Sequence, residues 1–397
     1  MREAGRGLSL QLPRTVIKGG ASRPLVVLAF SQLLFWTGYS SYYVITRRVI
    51  EERLGEDYSF GILLSGAEEA PLIASIMLGY IADRVGRKRV LTLGLLEALL
   101  VAMMAWAPLH LYPLLAGGAA LAYAIAYSSL LGMVLRESYG SGLRYSVITA
   151  FGSLGWGAGG LVGGASYALA GEDGLLASAA LLGIAYLAPL LLYREPIEYE
   201  PVPGPREVLK ATLGLTPLVA SISLSWAALT FYYGAVSIRL SAEIEGDLAY
   251  GVVLTTLPAL TGFAARPIAG IVADKMGGVR LLAVVNTLYS MLVGLTLGAR
   301  GVFLVLLWAT PLFPFRDVAA SISVSTRLPP SLQATAAGIL SFASSSAGTL
   351  AAIATLYYSL SFPGAMTTSA ILLLASNLAL LLDRGGRRRN GRACWGG

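Results

Sequence analysis

Histidine and cysteine are nearly missing from this 397-residue chain, which has one of each, His110 and Cys394. A disulfide framework needs two cysteines, and metal sites draw mostly on the same two residue types, so both classes fall away. Charge is scarce as well, at 13% of residues, roughly half the share of a soluble domain. No P-loop pattern occurs, which removes direct ATP coupling. No nucleophile–base constellation stands out, so neither an enzyme nor any cofactor or metal is expected.

Apolar residues make up 56% of the chain, gathered in blocks of about twenty. That length crosses a hydrocarbon core of about 30 Å at about 1.5 Å per residue. The blocks predict helices over 24–46, 58–82, 89–107, 111–135, 145–169 and 174–193, then 213–238, 248–273, 280–299, 301–326, 335–358 and 363–382. The expected fold is an all-α membrane protein of twelve transmembrane helices in two pseudo-symmetric six-helix bundles. The 46 glycines suit close helix approach in lipid. The basic residues before the first span precede a full-length apolar block with no small-residue cleavage site, so that block is expected as a retained first helix.

The expected organisation is an N-terminal arm (1–23), a first bundle (24–193), a linker (194–212), a second bundle (213–383) and a basic tail (384–397). The linker is charged and proline-rich, from Arg194 to Pro205. With the N-terminus inside, 22 of 29 Lys/Arg fall in cytoplasmic segments and five outside: Arg47, Arg48, Arg53, Arg239 and Arg300. The asymmetry places both termini in the cytoplasm and the protein in the cytoplasmic membrane. It also explains the net charge of +7 without nucleic acid.

The halves repeat at an offset near 190. Trp36 and Tyr42-Tyr43 parallel Trp226 and Tyr232-Tyr233. Gly79-Tyr80-Ile81-Ala82-Asp83-Arg84-Val85-Gly86 parallels Gly270-Ile271-Val272-Ala273-Asp274-Lys275-Met276-Gly277. Such repeats suit alternating access around a midplane site.

The loop from Gly79 to Arg89 resembles the signature of the major facilitator superfamily: glycine, three residues, aspartate, a basic residue, any residue, glycine and two basic residues. The resemblance covers about residues 24–383 and implies a secondary transporter. It implies a conformational latch at Gly79, Asp83, Arg84, Gly86, Arg87 and Lys88, with a degenerate copy at Gly270, Asp274, Lys275 and Gly277. The same basic residues would also fix topology. In the fifth helix, Gly155-Trp156-Gly157-Ala158-Gly159-Gly160-Leu161-Val162-Gly163-Gly164 resembles a glycine-rich pattern of facilitator antiporters, with Gly160 in place of its proline. Close helix packing is the other reading of that stretch.

Six ionisable residues fall inside spans: Glu68, Glu69, Glu97, Arg266, Arg316 and Asp317. Each costs about 2.5–3.5 kcal/mol at a helix centre, so they must pair, protonate or face water. Glu68, Glu69 and Asp317 are candidates to carry a coupling proton; the alternative for the glutamates is a paired or neutral carboxyl that joins helices. Arg266, before Pro267, resembles the eighth-helix arginine of small-anion porters for monocarboxylates, oxalate/formate and nitrate. The repeat puts Ser75 where nitrate porters have a second arginine, so a two-arginine nitrate clamp is not expected. Arg316 either faces substrate or snorkels to the cytoplasmic surface. By the family's arrangement, helices one, four, seven and ten line the cavity. They bring Gln32, Trp36, Tyr39, Tyr43, Tyr127, Trp226, Thr230 and Tyr233 as further substrate-binding candidates, while Tyr42 and Tyr232 are expected in the interfacial belt.

The function expected is proton-coupled transport of a small organic solute, a carboxylate anion among the candidates. Multidrug/proton antiport is the alternative, and a non-transporting membrane sensor on the same fold is the reading from another class. The partners expected are a small-molecule substrate, protons and the lipid bilayer, with the chain acting as a monomer.

Overall fold

A chain in lipid has no water to satisfy its amides, so it closes its hydrogen bonds within helices. The computed structural model describes residues 23–54, 64, 66–194, 201–244, 249, 252–357 and 361–383. Among these, every regular element is helical. The expected arm up to residue 22, residues 195–200 of the linker and the tail from 384 lie outside the described residues.

In the first half, α1 spans Arg23–Leu54. The 3-10 turn Ala70–Ala74 leads into α2, Ser75–Val85. Helix α3, Gly94–Met104, follows the helical turns Arg87–Val90 and Leu91–Leu93. Then come α4, Tyr112–Glu137, α5, Gly142–Ala170, and α6, Leu175–Leu192. The second half comprises α7, Thr216–Glu243, α8, Leu257–Met276, α9, Gly278–Thr296, α10, Leu312–Ser325, α11, Gln333–Tyr357, and α12, Phe362–Leu381. Each of the twelve expected spans overlaps one of these helices; residues 58–63 and 65 of the second span and 248, 250 and 251 of the eighth lie outside the described residues. Seven helical stretches are long and apolar enough to cross a membrane by length and composition alone. One of the seven, Gly142–Leu192, contains both α5 and α6.

Several boundaries move, each for a physical reason. Helix α1 has 32 residues, so at about 1.5 Å per residue it outruns the bilayer core. Arg47, Arg48 and Arg53, expected in an outer loop, therefore ride on its last turns. The tenth span is interrupted at Ala309-Thr310-Pro311, between helix Gly301–Trp308 and α10; Pro311 has no N–H to continue the ladder. Part of the linker is itself helical: Pro205–Gly214 starts with proline at its first turn, and Glu207 accepts from the Gly204 N–H at 3.1 Å.

Two turns repeat along with the sequence. Gly86 has φ 108° and Gly277 φ 81°, a region that disfavours a side chain. In each half a glycine thus reverses the chain just after the motif aspartate. The glycines of α5 have a packing role. Gly155, Gly159 and Gly163 lie one turn apart against the α1 backbone, and a Cβ on Gly163 would sit 2.9 Å from Ser41 Cα. This favours the packing reading of that stretch. The halves meet along two seams, α2 against α11 and α5 against α8.

Candidate functional site

Both seams are fastened at the end that carries the Gly86 and Gly277 turns. The Asp83 carboxylate is buried and accepts from the amides of Ala334 and Thr335, at 3.0 and 2.7 Å, and from the Thr335 hydroxyl at 2.7 Å. These amides open α11, so the carboxylate faces the positive end of a helix of the other half. Arg87 binds the same carboxylate (Nε to Oδ1, 2.8 Å) and reaches across to the Pro330 carbonyl at 3.0 Å. The copy behaves alike: Asp274 accepts from the Gly142 and Leu143 amides, at 2.5 and 3.0 Å, at the start of α5. Asp274 is exposed, however, and among the described residues forms no ion pair. Gly79 and Gly270 let the helices touch: a Cβ on Gly270 would lie 2.5 Å from the Gly142 carbonyl oxygen, and one on Gly79 would overlap Ala334. Lys88 donates to the Tyr193 carbonyl within its own half at 3.0 Å, while Arg84 and Lys275 are exposed.

A second polar cluster lies deeper, where α5, α7, α8 and α10 approach. Arg266 pairs with Asp317 (Nη1 to Oδ2, 2.6 Å) and donates to the Thr149 and Ser153 hydroxyls of α5 at 2.9 and 2.7 Å. It thus spans the seam between the halves. Asp317 keeps 31% of its side chain exposed, so open space reaches the middle of the bundle there. The next residue, Arg316, is buried. It donates to the Ser225 hydroxyl at 2.6 Å and the Ile222 carbonyl at 2.9 Å, and its guanidinium lies 4.8 Å from the Trp226 ring centroid. Its partners lie on α7 inside the bundle, so it does not snorkel. Among the described residues no carboxylate forms an ion pair with Arg316.

The aromatic candidates divide. Trp36 donates to Gln32 Oε1 at 3.1 Å and meets the Tyr127 ring at 5.6 Å. Tyr127 in turn lies within electrostatic reach of Asp317 and Arg266. The Gln32 amide nitrogen is buried beside the Tyr127 hydroxyl, without a well-aligned hydrogen bond among the described residues. On the other wall, Thr230 bonds to its own helix at the Trp226 carbonyl, and Tyr233 shares a 2.9 Å hydrogen bond with Tyr289, within reach of Arg316. Tyr43 stands further out, under the Arg47 guanidinium at 4.2 Å.

The glutamates lie elsewhere. Glu68 is gripped by Arg47, at 2.9 and 2.6 Å, and by the Tyr42 hydroxyl at 2.8 Å, all within the first half. Glu69 is turned to Ser345 of α11. Glu97 accepts from the Tyr186 hydroxyl at 2.5 Å and, with Glu68, Tyr39 and Tyr123, lines a cavity of about 20 Å³ inside the first half. Tyr42 and Tyr232, expected in the interfacial belt, are instead buried, at 4% and 1% exposure. Thr149 and Ser153 were not among the sequence candidates. Their signal is a hydroxyl face, Ser146, Thr149 and Ser153, at helical spacing in an apolar span.

A polar cluster between two six-helix halves of a membrane-spanning chain is the arrangement a secondary transporter needs. The chain belongs to the Major Facilitator Superfamily, whose family profile matches residues 28–352. The human organic anion transporter MFSD10 (TETRAN) shares the fold, with a TM-score of 0.72 at 16% identity over 91% of this chain and 100% of that one. A bacterial homologue of the iron transporter ferroportin, in an outward-facing state, gives a TM-score of 0.72 at 13% identity over 91% and 99%. No curated protein matches the chain in sequence.

Proposed function

We propose that this transporter carries a small organic anion across the cytoplasmic membrane, coupled to protons, with both termini in the cytoplasm. The observation that carries this reading is Arg316. A guanidinium buried at this depth, with no ion-pair partner among the described residues, is costly, and the Ser225, Ile222 and Trp226 contacts offset only part of that cost. A substrate carboxylate supplies the missing charge and can be gripped through two parallel N–H bonds. Arg266, Arg316 and Asp317 together carry one net positive charge, which suits an anion. Solved proteins of this fold include an organic anion transporter and a homologue of an iron transporter. The fold therefore leaves the cargo open, and the charge of the site supports an anion.

Coupling follows from the Arg266–Asp317 pair. A proton on Asp317 removes the charge that holds Arg266 and leaves the guanidinium free for the substrate. Release from Asp317, Thr149 and Ser153 also loosens the seam between α5 and α8, which links binding to movement of one half against the other. The coupling role is given to Asp317 because its arginine also bonds to the other half, whereas Glu68 is held by Arg47 and Tyr42 within the first half and Glu69 is turned to Ser345.

Purified protein screened by thermal shift against carboxylates, sugars, amino acids and cationic drugs tests the reading, since bound ligand stabilises by mass action. Carboxylates are expected to raise the melting temperature, and Arg316→Gln to abolish the rise. Stabilisation by cationic drugs and not by carboxylates would overturn it in favour of multidrug antiport.

A further inference from the structure

Trp36 is the best-oriented aromatic surface near the central arginines. Its Nε1–H is committed to Gln32 Oε1, and Gly152 leaves room for the indole, since a Cβ there would lie 2.6 Å from Trp36 Cδ1. Both contacts fix the plane of the ring. Around it, Phe35, Tyr39 and Tyr127 meet the indole at interplanar angles of 82°, 82° and 80°, and Trp156 at 65°. Elsewhere in the same cluster, rings stack nearly parallel: Tyr123 on Tyr127 at 13°, Phe35 on Tyr127 at 28°, Tyr39 on Tyr123 at 27°. Offset stacking and edge contacts are both favourable, so the contrast is not a packing necessity. No ring of this cluster lies flat on Trp36, and the side chain is only partly buried.

A charge stands close by. Trp36 packs on Gly152 of α5, and the next residue, Ser153, holds Arg266 Nε at 2.7 Å, while Arg266 pairs with Asp317, which follows Arg316 in the chain. The Gln32 amide, 1% exposed as a residue, lies beside the same indole and faces the Tyr127 hydroxyl. An indole with no ring stacked on it, an arginine held one residue from its packing glycine and a buried amide form one set of complementary features.

Building on the reading of the centre as an anion site, we infer that the substrate is an arenecarboxylate: its planar ring lies on the Trp36 indole and its carboxylate meets Arg316 and the released Arg266. The Gln32 amide donates to an oxygen on the ring or to the carboxylate itself. Trp226 cannot play the same part on the face that carries the Arg316 guanidinium.

Calorimetric titration of the purified full chain with benzoate, cyclohexanecarboxylate, propanoate and benzamide tests this. The two cyclic acids share charge and size and differ in ring planarity. Benzoate is expected to bind about two- to twelvefold tighter than cyclohexanecarboxylate, the usual worth of an aromatic pair beyond its area. Trp36→Leu is expected to bring that ratio to about one, and Trp36→Phe to preserve most of it. Equal binding of the two acids, or a ratio that survives Trp36→Leu, overturns the ring assignment and leaves the anion reading standing. Benzamide that binds as well as benzoate overturns both. A panel in which no compound binds removes arenecarboxylates as the class.

Discussion

Replacing Asp83 by asparagine is expected to unfasten the end of the molecule that bears the Gly86 turn. One carboxylate oxygen accepts from Arg87 Nε and the Ala334 amide, and the other from the Thr335 amide and hydroxyl. An asparagine turns its NH₂ toward the Thr335 pair, where the hydroxyl can accept and the amide N–H meets a donor, and the buried Arg87 loses its counter-charge. At about 1.5–3 kcal/mol for each of these two losses, the gross loss is about 3–6 kcal/mol. Water that enters the opened seam returns part of this, which leaves about 3 kcal/mol, or roughly a hundredfold shift between closed and open populations. Asp274→Asn should shift less, because that exposed carboxylate accepts from two amides alone and an asparagine keeps one of them. Nitroxide labels at Arg84→Cys and Thr326→Cys, both exposed positions, in a Cys394→Ser background, report the separation of the halves by pulsed electron–electron resonance. The expected result is a longer distance population in Asp83→Asn and a smaller one in Asp274→Asn. A distribution unchanged by Asp83→Asn, in protein of normal melting temperature, would refute the assignment of Asp83 as the fastener.

Glu68→Gln should cost about 1–3 kcal/mol of stability by leaving Arg47 without its bidentate partner, with part of the loss recovered in the double variant with Arg47→Gln; thermal unfolding measures both. Asp317→Asn should abolish accumulation driven by a pH gradient in proteoliposomes while substrate exchange across the same membrane continues. Loss of exchange together with accumulation would assign Asp317 to binding and not to coupling.

The helices were legible because the membrane imposes a length and forbids charge within it, and both demands show in twenty-residue blocks. The motif turns were legible because a reversed chain with positive φ demands glycine, at Gly86 and again at Gly277. Partnerships between distant residues were not. Glu68 and Arg47 are 21 positions apart, and nothing in the pattern says that α1 runs on to Leu54 and carries Arg47 beside α2. Arg316 left two readings open because distance from a helix end does not say whether α7 offers a hydroxyl and a carbonyl to hold it. Tyr42 looked interfacial for a similar reason: its hydroxyl serves a carboxylate whose position hydropathy does not reveal. The linker helix was not expected either, although Pro205 and Glu207 stand where a helix start places them.

The two seams look alike in sequence and differ in what they can do. At the motif end they are near copies, with Asp83 on the start of α11 and Asp274 on the start of α5. Two turns further in, the repeat sets Ser75 against Arg266, and the structure gives that difference a consequence. Ser75 is fully buried where α11 presents Gly338, so α2 and α11 lie flush and a Cβ on Gly338 would meet the Ser75 backbone. At the corresponding depth, α8 meets α5 through a guanidinium, two hydroxyls and Asp317. A flush contact between backbones offers a ligand nothing to exchange. A seam closed by an arginine's bonds to two hydroxyls can be opened by anything that competes for that guanidinium or for its Asp317 partner, a proton at Asp317 or an anion at Arg266. On the proposed function, substrate and proton therefore act on the α5–α8–α10 side, and the α2–α11 seam answers through its Asp83 fastener.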